Sequence, residues 1–491
     1  IEVGYMSADA IGFALLILGL ALLVGKMIRV RVGFVQSLFL PASIVAGALL
    51  LILGPEVLGR FDGPWGENGL FTESMVTVWS ALPGLLISVV FATMFLGNTL
   101  PSPGRAVKLV GPQLSLGVSM ASAQYVVGLL LAALVVVPLF AAPAMSGALI
   151  EIGFEGGHGT AAGMRPVFDE LGYAEGADLA VGLATVGIVG GIVIGIFLIN
   201  WGVRTGKTEI LTGSATMSDD ERRGVYAAEE DHSAGEMTSR PSSVDALTLH
   251  LALVAVVILI GLGILEGLRW IQQQTYASVM LDENTPLEIF AFVPLFPIAL
   301  LGGVILQSIA GKTGLDRFID RDLMQRIQGM ALDFLVVAAI ATLSIQAIGE
   351  HLGVFLILAA AGIIVNVGLF LYLAPRIIGR FWFERGIGDF GQSMGVTATG
   401  LILMRVVDPE GKSPAFEAFG YKQLVFEPFF GGGLVTAMAV PIIYLTGAWP
   451  LFFVMLAVFL VAILSGLLYF RPREMRDRAE WEGTRSRLPD R

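Results

Sequence analysis

Two glycine-rich stretches govern the reading of this chain: Gly159-Thr160-Ala161-Ala162-Gly163-Met164-Arg165, and Gly395-Val396-Thr397-Ala398-Thr399-Gly400 followed by Met404-Arg405. Each sits in an apolar region, at about 144–168 and about 386–407, and each is too broken by small residues to cross a bilayer as a clean helix. Irregular backbone at membrane depth survives only where protein buries it or where it lines a wet cavity. Both stretches are therefore expected to be re-entrant hairpins, each entering and leaving on its own side.

Around them the chain is apolar almost throughout. Of its 491 residues, 55% are hydrophobic and 14% charged, where soluble domains carry roughly 25% charged residues. Runs long enough for a helix to cross ~30 Å of hydrocarbon fall at roughly 8–25, 37–54, 79–97, 112–140, 176–201, 247–268, 289–309, 330–348, 353–374, 423–446 and 449–470. The reading is an all-α polytopic membrane protein of about 11 spans, without the alternating ~10-residue segments of a membrane β-barrel. Ala14–Val24 is followed, not preceded, by Lys26, Arg29 and Arg31, so it is expected to be a retained first span and not a signal peptide. The absence of cysteine rules out disulfides, thiolate metal sites and a cysteine nucleophile.

Lysine and arginine stay on the cytoplasmic side of membrane proteins. With the N-terminus outside and both broken stretches re-entrant, all but Arg60, Arg165 and Arg269 of the 30 basic residues fall inside. The loop bases Lys412 and Lys422, the 204–245 connector and the C-terminal tail are all placed there. Acidic loops such as Asp62-Gly63-Pro64-Trp65-Gly66-Glu67 and Asp282-Glu283-Asn284 face outward. Counting either stretch as a full span would throw the later basic loops to the wrong side.

The same count exposes a repeat. Residues 1–203 hold five spans with a broken stretch between the fourth and fifth; a polar connector occupies 204–246; residues 247–446 repeat the five-span pattern; and 447–491 add one extra span and a basic tail. Five is odd, so the second unit must lie inverted relative to the first. Inverted repeats with interrupted helices near the midplane mark secondary transporters. Helix N-termini there attract a carboxylate, and freed carbonyls with Ser/Thr oxygens suit a sodium ion.

Gly156-Gly157-His158-Gly159-Thr160-Ala161-Ala162, Ala184-Thr185-Val186-Gly187-Ile188-Val189-Gly190-Gly191 and Phe390-Gly391-Gln392-Ser393-Met394-Gly395-Val396-Thr397-Ala398-Thr399 closely resemble motifs of the bacterial sodium/glutamate symporter family. The resemblance covers roughly residues 8–446. It implies Na+-coupled uptake of glutamate or a related acidic amino acid, a homodimer, an elevator-like movement and a place in the bacterial inner membrane. Another organic anion, a di- or tricarboxylate, is the alternative solute.

The residues expected to hold the solute are Gly156, Gly157, His158, Gly159, Thr160, Arg165, Gly395, Thr397 and Thr399. Those expected to hold sodium are Gln124, Asn366, Gly391, Ser393 and Glu427, with Asp333 a weaker acid of the same kind. Each has a structural alternative. Ser and Thr bond their own helix backbone, buried amides bond between helices, and Arg165 and Arg405 can be interfacial anchors. Gly391-Gln392-Ser393-Met394-Gly395 matches a hydrolase elbow, but no strand precedes it. Asp389-Phe390-Gly391 lacks every companion kinase motif, and Gly311-Lys312-Thr313 lacks the P-loop glycine. An ion channel is the remaining class, although channels commonly assemble rings of like residues about an axis.

Overall fold

The computed structural model describes residues 8–37, 40–61, 63–97, 103–211, 223, 225, 233–275, 293–408 and 411–476. Asp62, the Asp282-Glu283-Asn284 loop, the first residues of the run predicted at 289–309, part of the 204–246 connector and the tail beyond 476 lie outside the described residues. Among those described, the fold is helical with no strand, and eleven helices are long and apolar enough to cross a membrane.

Before the connector come α1 (Ala8–Arg31), α2 (Ala42–Leu53), α3 (Glu73–Thr93), α4 (Pro103–Leu131), the short α5 (Leu149–Phe154), α6 (Gly157–Gly163) and α7 (Arg165–Glu170), and α8 (Glu175–Arg204). After it come α9 (Ala246–Thr275), α10 (Leu295–Thr313), α11 (Arg321–Ala341), α12 (Leu352–Tyr372), α13 (Trp382–Val407), α14 (Ala415–Phe426), α15 (Leu434–Thr446) and α16 (Ala448–Leu464). Helices α1, α2, α3, α9, α10 and α11 pack as one group, while α4, α8, α12, α13, α14 and α16 pack as another around α5 and α6. Helix α6 bridges the groups by meeting both α3 and α11.

Helix α13 passes for a span by its 26 residues, but its backbone breaks at Gly395 (φ −157°, ψ 50°) and Val396 (φ 63°, ψ 171°). The chain then folds back on itself. A Cβ on Gly391 would lie 2.7 Å from the Gly400 Cα, and one on Gly388 would lie 2.6 Å from the Met404 sulfur. In an unbroken helix, residues nine apart are separated by about 13.5 Å of rise. The predicted break at 386–407 is thus a helical hairpin, beginning at Trp382.

The first broken stretch also reverses. Helix α5 ends at Phe154, the chain turns through Glu155 and Gly156, and α6 starts at Gly157 with φ +69°. The 30-residue α8, about 45 Å long at 1.5 Å per residue, serves as a ruler for both hairpins. Arg165 pairs with Asp178 near its start, and His158 meets Thr185 further along. From the other end, Phe383 packs on Gly202, Leu403 on Gly195 and Met394 on Gly191 and Gly187. The two hairpins therefore run along α8 from opposite ends and turn beside its middle.

Small residues make this approach possible. A Cβ on Gly187 would sit 2.1 Å from the Met394 carbonyl oxygen, and one on Gly195 would sit 2.5 Å from Leu403. Residues 187, 191 and 195 follow one another at four-residue spacing, so one face of α8 is bare enough for another backbone to lie against it.

The run predicted as a tenth span, 423–446, is corrected by the structure. It divides into α14 and α15 around Glu427-Pro428-Phe429-Phe430-Gly431-Gly432-Gly433. Pro428 has no N–H to continue the helix ladder, and the chain leaves the helix just after Glu427, which itself keeps helical angles (φ −61°, ψ −29°). Gly431 (φ +69°) and Gly432 (φ +108°) then adopt conformations that other residues rarely take. The freed Gly431 N–H donates to Glu151 Oε1 (2.9 Å), and Gly432 N–H donates to Thr436 Oγ1 (3.1 Å).

Candidate functional site

The hairpin turns touch. A Cβ placed on Gly157 would lie 2.2 Å from Cγ1 of Val396, so the tip of one hairpin rests on the tip of the other. Val396 is a β-branched residue at positive φ, a conformation that costs on the order of 1–3 kcal/mol and persists only where the surroundings enforce it. Such outliers concentrate where a ligand or a switch requires them.

A cavity of about 440 Å³ opens at this contact, between the hairpins and helices α2, α3 and α11. Its hairpin wall carries His158, Thr160, Gln392, Thr397 and Thr399, and Gly156 and Gly159 complete it. The opposite wall is mainly apolar, with Ile87, Val90, Phe91, Leu332 and Val336. Among the described residues, three carboxylates line the cavity, from Glu155, Asp333 and Glu427, and neither lysine nor arginine does. A site of a few hundred Å³ with few polar groups on an apolar wall has the form of a small-molecule pocket.

The predicted residues take several different places. His158 bonds through Nε2 to Thr185 Oγ1 at 2.9 Å, holding the first turn against α8. Thr397 donates to Glu427 Oε1 (2.9 Å), and Gln423 Nε2 donates to the same oxygen (2.8 Å). Thr399 faces the cavity but gives its hydroxyl to the Gly395 carbonyl within its own turn. Gln124 on α4 and Asn366 on α12 both donate to the Ser393 carbonyl at 2.8 Å, which the break at Gly395 releases from the helix ladder. The two amides, from different helices, thus share one acceptor. Gly391 packs against Gly400, and Gly395 lies against Ile188 of α8.

Arg165 lies away from the cavity. Its guanidinium pairs with Asp178 at 2.6 Å, and Asp178 also accepts from the Ser344 N–H at 3.1 Å, which ties the end of the first hairpin to α8 and to the loop after α11. Arg405 is exposed. The matched positions of these arginines in the two stretches do not bring them together.

Several polar residues escaped the sequence reading. Lys422, assigned there to a basic loop, is fully buried, and its Nζ pairs with Asp389 Oδ1 at 2.9 Å and donates to Gln392 Oε1. The ammonium also lies 4.2 Å from the Phe426 ring centroid. Glu151 accepts from Tyr125 (2.6 Å), Gly431 N–H and Thr436 (2.7 Å), and so fastens the first hairpin to α4 and α15. Glu155 is 2% exposed and stands in the first turn. An acid inside an apolar glycine run is the signal that marks it, because such residues within membrane segments are functional candidates by default.

The profile of the sodium/glutamate symporter family matches residues 9–410 of the chain. No curated protein matches it.

Proposed function

Because the chain belongs to the sodium/glutamate symporter family, a group that couples glutamate transport to Na+, we propose that its solute site is the cavity where the two hairpin turns meet. The observation that carries this reading is the Gly157–Val396 contact beside the middle of α8, with the cavity opening directly on it. The hairpins are read as re-entrant from opposite faces, and the two halves of the chain, 1–203 and 247–446, as inverted repeats, with 447–491 as an added span and tail. The N-terminus is placed outside, the connector and C-terminus in the cytoplasm, and the protein in a bacterial inner membrane as a homodimer.

The chemistry of the walls sorts the parts of the solute. The second arm of α13 begins at Thr397, where the first N–H groups of a helix have no partner within it and the helix dipole favours an anion. A solute carboxylate binds there and on the Thr160 hydroxyl, while Thr397, bonded to Glu427, positions that acid. Asp333 and Glu427 receive an ammonium group, which favours an amino acid over a di- or tricarboxylate without one. The apolar wall of α2, α3 and α11 is the surface along which the hairpin group slides in an elevator-like step.

Uptake of labelled glutamate into proteoliposomes tests the reading. Accumulation above the external concentration, driven by an inward sodium gradient, supports it and excludes a channel. Absence of accumulation in every ion gradient overturns it, and stronger uptake of tricarboxylates than of glutamate overturns the proposed solute.

A further inference from the structure

Helix ends at the hairpin tips come in two signs. The second arms begin there and present N–H groups, whereas the first arms, α5 and the Trp382–Met394 part of α13, end there and present the partially negative C-terminal end. The proposed solute site occupies the N-terminal side. The C-terminal side carries acceptors with nothing to accept. Both carboxylate oxygens of Glu155, the Ser393 hydroxyl and Gln124 Oε1 are buried without a hydrogen-bond partner. The Ser393 hydroxyl lies beside the Glu155 carboxylate, and Gln124 is held to the Ser393 main chain by its Nε2. Glu155 also lines the cavity, so a path reaches it.

The charges facing Glu155 are Lys422, Glu151 and Asp389. Lys422 is already engaged by Asp389 and Gln392, and Glu151 by Tyr125, Gly431 and Thr436. One buried ammonium, with the Arg385 guanidinium beyond Asp389, thus stands against three buried carboxylates. A buried carboxylate whose nearest counter-charge is engaged by other partners is unfavourable, and its oxygens suit a cation. Among the described residues no three His, Cys, Asp or Glu side chains converge as a metal site, which argues against a divalent ion. A single carboxylate with neutral oxygen donors at two half-helix C-termini suits a small hard monovalent cation.

We propose that the coupling sodium ion binds at the first hairpin turn, on the Glu155 carboxylate and the Ser393 hydroxyl, with the Gln124 carbonyl oxygen beside them. The assignment rests on the chain being a sodium-coupled transporter. It places the ion between the hairpins, so that one ligand comes from each and the ion closes the seam that the Gly157–Val396 contact begins. Asn366 and Gln124 then act as positioning residues by fixing the Ser393 backbone.

The full-length protein in proteoliposomes and in detergent supplies the test. Wild-type uptake is titrated with Na+, and thermal stability without glutamate is followed in Na+ against choline. Glu155→Gln is expected to weaken the apparent sodium affinity more than tenfold and to abolish the Na+-specific stabilisation. Ser393→Ala, which keeps the charge and the fold, is expected to weaken sodium several-fold. Wild-type coupling with unchanged sodium titration in both variants overturns the site and leaves the transport reading standing. Loss of a proton-driven uptake in Glu155→Gln, with no wild-type response to sodium, assigns Glu155 to a proton and overturns the ion. If Glu155→Gln does not fold, Glu155→Asp and Ser393→Ala decide: unaltered sodium affinity in both overturns the proposal. A wild type without sodium-coupled uptake removes the functional reading and the site together.

Discussion

Substituting Gly157 by alanine is the sharpest probe of the apposed hairpins. The backbone there has φ +69°, so any Cβ costs on the order of 1–2 kcal/mol before neighbours are counted. The new Cβ would then fall 2.2 Å from Val396 Cγ1, against 3.6 Å from the Val396 Cβ. Overpacking of that kind adds about 1–3 kcal/mol. The sum, about 2–5 kcal/mol, lowers the population of the closed tip contact roughly 30- to several-thousand-fold at about 1.4 kcal/mol per decade. Gly159→Ala is the milder comparison on the same cavity wall, because its Cβ would meet the ends of Ile87 (3.2 Å), Leu332 (3.6 Å) and Leu335 (3.8 Å) without a positive φ.

Initial glutamate uptake at saturating sodium, normalised to protein in the membrane, is the assay. Gly157→Ala is expected to lose uptake and Gly159→Ala to retain most of it. Adding Val396→Ala to Gly157→Ala removes Cγ1 and leaves the two Cβ atoms at ordinary contact distance. The double variant should therefore recover the steric part and keep the backbone part. Wild-type uptake by Gly157→Ala refutes the apposition of the turns. Failure of Val396→Ala to restore anything refutes the specific contact.

Three further outcomes follow from the polar network. Lys422→Met removes the ammonium paired with the buried Asp389, which keeps Gln113 and the Arg385 charge, so it should cost up to about 3–5 kcal/mol in thermal or denaturant unfolding, and adding Asp389→Leu should recover most of that; a single variant as stable as wild type contradicts the pairing. Arg165→Ala should reduce stability by about 1–2 kcal/mol, between the range of exposed and buried pairs, while the KM for glutamate stays put; a raised KM at unchanged stability would return Arg165 to the solute. Glu427→Gln should raise the KM for glutamate at least tenfold yet leave competition by glutarate, which lacks the amino group, unaltered; equal weakening of both removes the ammonium assignment.

Much of the architecture was legible because membrane folding leaves few options. Hydropathy located the apolar helices, and two stretches of small residues located the hairpins, since backbone cannot break in hydrocarbon without a partner. What stayed hidden was pairing. The run 423–446 has the hydropathy of a span, and only Pro428 with Gly431, Gly432 and Gly433 tells that it divides. Lys422 counts as a loop base in any charge tally, and nothing in its immediate neighbours announces Asp389, 33 residues earlier. Arg165 and Arg405 matched by position, yet the partner that fixes Arg165 is Asp178, contributed by the next helix. Glu155 was overlooked because Gly156-Gly157-His158 beside it carried the more conspicuous pattern.

The proposed arrangement makes coupling a consequence of charge. An anionic solute at the N-terminal end of the second arm of α13 and an ionised Glu155 share one cavity of about 440 Å³. Two like charges about 6 Å apart at an effective dielectric of ~20 repel by about 3 kcal/mol, roughly a hundredfold in occupancy. Sodium on Glu155 removes that repulsion, and the same factor must appear in reverse, because glutamate then strengthens sodium binding equally. Neutralising Glu155 by substitution would accordingly weaken sodium while making glutamate binding less dependent on it. A ligand that merely packed near the ion without sharing its field would lose affinity for neither, so the reciprocity is what separates an electrostatic couple from two neighbouring sites.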